Sequence, residues 1–318
     1  MGNISAAQFA AAASMEELYG LLDAAGMGNG WDKPEPSMYA QPKQSFVPAH
    51  WRYAIAKPAL EAAGRFVSTE LAERRNLILF NPIPGNTYAT ARTLVAAYQM
   101  VLPGETARSH RHSPNALRLV VDTEPGAYTV VAGKKLPMVP GDVLLTPNWS
   151  WHGHSNESRS NAYWIDFLDV PLVHLLEPMF FEQYPGGLES ASTVDTSSPM
   201  RFPFADTRAR LESQPELRPG ERAVDLGPPH IDTIGLGVSR LEAGRPLKTG
   251  RTTANCLFAV IEGEGCSIVD GREFRWSRGD VFVVPSWRRH EYQAEKTSYL
   301  LKVTDEPLIR HLNWLREE

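Results

Sequence analysis

Cysteine is scarce: Cys256 and Cys266 are the only two in 318 residues. A disulfide framework is therefore not expected, and a reducing, cytoplasmic setting is the default. Long apolar runs are missing too. No window approaches the roughly 18 uncharged apolar residues of a membrane-spanning helix, so no membrane partner is expected. Excess charge of one sign is absent as well. Lys and Arg number 32 against 37 Asp and Glu, interspersed, for a net charge of −5. That argues against nucleic acid and against an anionic membrane surface. The opening MGNISAAQFAAAAS lacks the basic and apolar regions of a secretory signal, and Ala6 fills the Ser/Thr slot of a myristoylation pattern. What remains is an ordinary globular composition, long enough for one large domain or two medium ones.

The texture of the chain changes along its length. Residues 1–14 are Ala-rich and expected to fray. Ser14, Glu16 and Glu17 open a short helix over 14–26, and Gly26 closes it. An extended Gly/Pro arm follows over 27–48, then a second helical stretch over roughly 57–75. From 76 onward, short runs such as NLILFNP, ALRLVV, AYTVV, DVLLTP and AYWIDF alternate with Gly, Pro and Asp turns. That spacing belongs to an antiparallel barrel or sandwich. PGGLESASTVDTSSP and RPGER mark a linker, and a second β-rich run fills 232–304.

The two β-rich runs repeat each other. AGKKLPMVPGDVLLTPNWSWH matches DGREFRWSRGDVFVVPSWRRH. Gly133, Gly141, Pro147, Trp149 and His152 recur as Gly271, Gly279, Pro285, Trp287 and His290, each pair 138 positions apart. The economical reading is a duplicated barrel. The expected division is an arm with helices (1–75), a first barrel (76–184), a linker (185–231) and a second barrel with a C-terminal helix (232–318).

The first run carries the chemistry. In SHRHSPNALR, His110 and His112 alternate onto one strand face. SWHGHSN supplies His152 and His154 in the same way. Three neutral imidazoles suit Fe, Zn, Ni or Cu. Arg118, between Leu117 and Leu119, shares the predicted face of His110 and His112. A guanidinium inside a barrel needs a partner, either a protein carboxylate or a substrate carboxylate gripped by its fork. His50, His174, His230 and His311 stand without partners in pattern, and both cysteines read as ordinary strand residues.

GETARSHRH and GDVLLTPNWSWHGHSN resemble the two sequence motifs of the cupin superfamily. Its first motif usually continues to a glutamate ligand, but here Ala116 and Leu117 occupy those slots. ERRNLILFNP, LPGETARSHRHSPNALRLVV and WIDFLDVPLV resemble the gentisate 1,2-dioxygenase family, over about Trp51 to Asp305. The resemblance implies a mainly β bicupin fold, two jelly-roll barrels with a short helical N-terminal region. It implies Fe(II) on His110, His112 and His152, with no carboxylate ligand. It places Arg118 on the substrate carboxylate, His154 near the substrate oxygens as base or oxyanion partner, and Gln99 and Arg74 along the pocket. Asp166 matches an acidic residue near the metal.

The implied reaction inserts both atoms of dioxygen between the carboxyl-bearing and hydroxyl-bearing carbons of gentisate or a salicylate. A homotetramer or homodimer is implied as well. In the second barrel Gly250 and Thr252 fill the first-motif histidine slots, so that barrel is expected to hold no metal. Two alternatives remain open: a substituted salicylate without the para-hydroxyl, and a non-catalytic or small-molecule-binding bicupin.

Overall fold

The computed structural model describes residues 4–191, 193–227 and 231–318. They fall into two compact units, divided between Lys43 and Gln44. The first unit holds two short helices. Ala6–Ala11 is opened by a capping box in which Ser5 and Gln8 bond reciprocally, so part of the stretch expected to fray is helical. Met15–Ala24 starts at Ser14, whose side chain accepts from the Glu17 amide at 3.1 Å.

The second unit is mainly β, as expected. The helical stretch ahead of the barrels begins earlier than its sequence suggested. Tyr53–Gly64 runs through Pro58, and a separate turn, Thr69–Ala72, is capped by Ser68. Each barrel is built from two sheets. In the first, Val143–Thr146, Ala116–Asp122, Ala162–Leu168 and Val95–Val101 form the middle of a six-stranded sheet. Thr106–His112, His152–Asn156 and Ala127–Val131 lie in the sheet facing it. In the second barrel, Val281–Val284, Cys256–Glu262, Ser298–Thr304 and Gly235–Leu241 stand beside a four-stranded sheet that includes Glu264–Val269 and His290–Ala294.

Alternation along these strands makes two kinds of core. Leu117, Leu119, Ile165 and Phe167 share one cluster with Leu257, Ala259, Leu301 and Val303, so the two barrels pack back to back. The alternate residues face the two lumens: Val120, Leu144 and Trp164 in the first, Val260, Phe282 and Leu300 in the second.

The segments ahead of the barrels cross over. Ala49–Trp51 pairs with Val281–Val284 of the second barrel, and Arg201–Phe202 pairs with Val143–Thr146 of the first. Each then enters a helix through a buried aromatic, Tyr53 or Phe204. The repeated Gly-Asp receives it. Asp280 Oδ1 accepts from the Tyr53 amide at 2.8 Å, and Asp142 Oδ1 from the Phe204 amide at 2.9 Å. Gly279 and Gly141 have φ of 84° and 88°, and a Cβ at either would lie 2.7 Å from the arriving ring. Both positive φ and close packing therefore require glycine. Among the described residues no helix is long and apolar enough to cross a membrane.

Candidate metal centre and substrate pocket

Strand pairing brings the histidines together. His110 lies opposite His152, and His152 is also opposite Val131 on the other side. The register slips between Ala107 and His110, a bulge that re-aims the strand just before its two histidines. Ring centroids lie 4.4 Å apart for His110 and His152, 4.8 Å for His112 and His152, and 5.5 Å for His110 and His112. One nitrogen from each ring lies within 4.8 Å of the others. Among the described residues this is the sole such group of three or more His, Cys, Asp or Glu.

Backbone carbonyls orient two of the rings. Nδ1 of His112 meets the Pro114 carbonyl at 2.8 Å, and Nδ1 of His152 meets that of Ser150 at 2.9 Å. A neutral ring whose Nδ1–H is held in this way keeps its Nε2 lone pair for a ligand. His110 Nδ1 is buried without a hydrogen-bond partner among the described residues, and Glu73 Oε2 stands 3.5 Å away. Burial, then Arg74, pushes His110 down to about 3. Burial likewise lowers His112 and holds His152 well below its ordinary range. All three rings are thus neutral donors at working pH.

The other expected site residues surround this group. Arg118 is 1% exposed. Its Nη1 donates to Thr129 Oγ1 at 2.9 Å and to the His154 ring, 2.8 Å from Nδ1; its Nη2 donates to Thr146 Oγ1 at 3.0 Å. Asp166 lies directly across the strand pair, and its Oδ1 is 3.4 Å from Arg118 Nε. That contact is an ion pair without a formed hydrogen bond, since both atoms are buried without a hydrogen-bond partner. A neutral imidazole accepts at one nitrogen only; Nδ1 is also 3.1 Å from Thr129 Oγ1, while Nε2 is 3.1 Å from Arg118 Nη1, so Nδ1 is assigned as the acceptor and the proton to Nε2. Burial and then Arg118 hold His154 well below its ordinary range. Buried Arg118 is itself lowered to about 10 and stays charged at neutral pH. Arg74 Nε donates to Gln99 Oε1 at 3.0 Å, and Arg74 Nη1 is 3.5 Å from Glu73 Oε2.

All eight expected residues therefore line one lumen. Sequence reasoning missed Glu73, Thr129, Thr146 and Trp164. Glu73 stood beside Arg74 in ERR and could have been flagged by its charge; its φ of 49° shows a backbone bent to reach inward. The two threonines and Trp164, whose ring centroid is 5.0 Å from that of His154, carry no signal apart from strand parity. Elsewhere His50 pairs with Asp280 at 3.1 Å, His174 packs edge-on against Tyr88, and His311 is exposed. His230 lies outside the described residues.

The cupin domain family matches residues 97–169 and 246–304, one segment in each barrel. A 5-aminosalicylate 1,2-dioxygenase from Comamonas sp is 32% identical, covering 96% of this chain and 90% of its own. Gentisate 1,2 dioxygenase 1 from Aquipseudomonas alcaligenes is 32% identical and covers 95% of each chain. The chain belongs to the gentisate 1,2-dioxygenase family. Among solved structures, the salicylate 1,2-dioxygenase of Pseudoaminobacter salicylatoxidans with gentisate bound superposes on this dioxygenase with a TM-score of 0.90. The two are 29% identical, over 97% of this chain and 94% of the other.

The donor set fits a metal site. Three neutral imidazoles from two strands, His110 and His152 buried and His112 half-buried, two of them locked by carbonyls, suit a divalent transition ion. Arg74 and Arg118 are balanced nearby by Glu73 and Asp166. A divalent ion would therefore leave the pocket cationic and receptive to an anionic ligand.

Proposed function

We propose that this dioxygenase holds Fe(II) on His110, His112 and His152 and opens the ring of an ortho-hydroxybenzoate, gentisate or a salicylate, between its carboxyl-bearing and hydroxyl-bearing carbons. The observation that carries this reading is the convergence of three neutral imidazoles within 4.8 Å beside a buried guanidinium. A ferrous ion bound there supplies the electron path between ring and dioxygen. The chain supplies charge, position and dryness.

Arg118 is assigned to the substrate carboxylate. Its Nε hydrogen and one Nη2 hydrogen remain uncommitted, which is the side edge of the fork, and a carboxylate there would displace the long contact to Asp166. Asp166 is assigned to keeping the guanidinium charged and in place. His154, neutral and with its proton on Nε2, is assigned to donating a hydrogen bond to a substrate oxygen. Arg74, anchored by Gln99 and Glu73, is assigned to closing the cationic side of the pocket.

Arg118→Ala is expected to raise KM and lower kcat while iron content stays at wild-type level; loss of iron in step with activity would reject the assignment. Oxygen uptake on a panel of gentisate, salicylate and 5-substituted salicylates identifies the substrate. Cleavage of salicylates lacking the para-hydroxyl is the second reading, favoured by similarity to the 5-aminosalicylate and salicylate enzymes. A homotetramer or homodimer accompanies the proposal, checked by light scattering on the eluting protein.

A further inference from the structure

A cavity of about 710 Å³ opens into the second barrel, lined among others by Phe258, His290, Tyr292 and Lys302. Among the described residues no metal set is present there. Gly250 and Thr252 stand in the histidine slots, and His290 Nε2 is 3.1 Å from Ser267 Oγ. The lumen offers instead two flat aromatic faces and a cation. Phe258 stacks on Phe282 at 5.0 Å and 13°, and His290 on Tyr292 at 4.6 Å and 27°.

The charges in this lumen are unequally satisfied. Glu221 is 3% exposed and fully engaged: it accepts from Arg218 at 2.5 Å, Ser239 Oγ at 2.8 Å and Tyr292 Oη at 3.0 Å. Lys302 pairs across strands with Phe258 on one side and Gly237 on the other, so no side chain flanks it on the glycine side. Its nearest carboxylate is Glu306 at 3.6 Å, which also takes Arg310 at 2.7 Å, with Glu317 acting from farther off. An ammonium beside an aromatic wall, with a weak and shared counter-ion, is a receptor for one carboxylate attached to a flat apolar body.

We propose that the lumen of the second barrel is a binding site for a small aromatic carboxylate, with the carboxylate on Lys302 Nζ and the ring lying against the aromatic wall that Phe258 and His290 form together, 5.3 Å apart. The cavity falls within the roughly 300–1,000 Å³ usual for small-molecule sites. Because it needs no metal, it is independent of the iron centre.

Crystals of the iron-loaded enzyme soaked anaerobically in 4-bromobenzoate should show a bromine anomalous peak beside Phe258, besides any in the first barrel. Calorimetry with benzoate should show two binding events per chain. Lys302→Met should weaken one of them by roughly tenfold or more, Lys302→Arg should retain it, and iron content should be unchanged in both. Bromine confined to the first barrel, or an isotherm that Lys302→Met leaves unaltered, overturns the proposal. The soak uses the wild-type chain, so the test stands even if a variant does not fold.

Discussion

In the first barrel, Asn115 receives Asp169: its amide and side-chain nitrogens donate to the two Asp169 oxygens at 2.8 and 3.2 Å. In the second barrel, Asn255 receives Asp305 in the same way, at 2.7 Å for both. Each asparagine oxygen then accepts an amide from the opposite motif, Asn148 or Ser286. Trp149 and Trp287 share a positive φ of 58° and 63°, as do Ala132 and Asp270 at 46° and 44°. The braces of the duplicated barrel are thus kept nearly atom for atom.

The lumens are not. The strand registers that align these braces set Arg118 against Phe258, Asp166 against Lys302, and Arg74 against Glu221. His154 becomes Tyr292, and Gln99, which accepted from Arg74, becomes Ser239, which donates to Glu221. One barrel surrounds a histidine triad with two guanidinium groups; the other drops the triad and the Arg118 charge and reverses the sign at the Asp166 and Arg74 positions. The difference teaches which residues the fold demands. Buried backbone amides must be satisfied wherever the chain turns, so the Asn-Asp and Gly-Asp braces persist. Side chains facing a lumen answer only to what fills it.

The sharpest way to break this comparison is to remove equivalent histidines. His112→Ala should abolish stoichiometric metal and lower activity by more than about 100-fold, the usual ceiling for changes outside the ligand set. His290→Ala should leave metal occupancy unchanged. Metal analysis with oxygen uptake decides it; equal metal loss in both variants would erase the distinction between the barrels.

The converse substitution tests whether the second barrel could regain a ligand. A Cβ on Gly250 would lie 1.9 Å from the carbonyl oxygen of Glu318, because the segment that follows the last helix pairs with residues 251–253. In the first barrel the matching neighbour, Phe181–Gln183, pairs with His110 and His112 without obstruction. Gly250→His should therefore cost about 2–4 kcal/mol by urea unfolding, and deleting residues 314–318 should recover part of it.

How much of this was legible beforehand follows from the same contrast. The ungapped repeat 138 positions apart exposed the barrels, and the alternation of His110, His112, His152 and His154 exposed the triad. The Asn-Asp braces were missed, although NAL (115–117) with DVPL (169–172) echoes NCL (255–257) with DEPL (305–308). Those pairs lie 140 and 136 positions apart, so a search at fixed spacing passes over them. The crossed-over strands were illegible for another reason. Ala49–Trp51 and Arg201–Phe202 are too short to carry a period, and their partners lie in the other barrel. Glu73 entered the pocket through a positive φ of 49° that no local pattern encodes, and Thr146 through strand parity alone.

The braces offer a smaller but cleaner test. Asn115→Ala and Asn255→Ala each leave a buried carboxylate and a backbone amide short of partners, a loss of about 1–3 kcal/mol each. If the repeat is energetically real, the two should agree within about 1 kcal/mol by urea unfolding of metal-free protein. A large inequality would show that one brace is held by its surroundings: Thr93 donates to Asp305 and Thr233 to Asp169 alike, but Asn115 Nδ2 also donates to Thr233 Oγ1 at 2.9 Å.

The smallest effect expected is a pH dependence belonging to the second barrel alone. Burial, reinforced by Arg218, pushes His290 from 6.5 down to about 3. The unfolded chain then binds a proton that the folded chain refuses, so the neutral ring contributes its full stability above about pH 6.5 and loses it as the pH falls toward 3. The limiting slope for one such group is about 1.4 kcal/mol per pH unit. The buried histidines of the first barrel add slopes of the same sign in metal-free protein, so the measurement must be a difference. His290→Phe should flatten the fall in unfolding free energy between pH 6.5 and 5.5 by about 1 kcal/mol, while the plateau above pH 7 shifts by a constant set by packing alone. An unchanged slope would mean that the second lumen admits enough water to protonate His290 in the folded state.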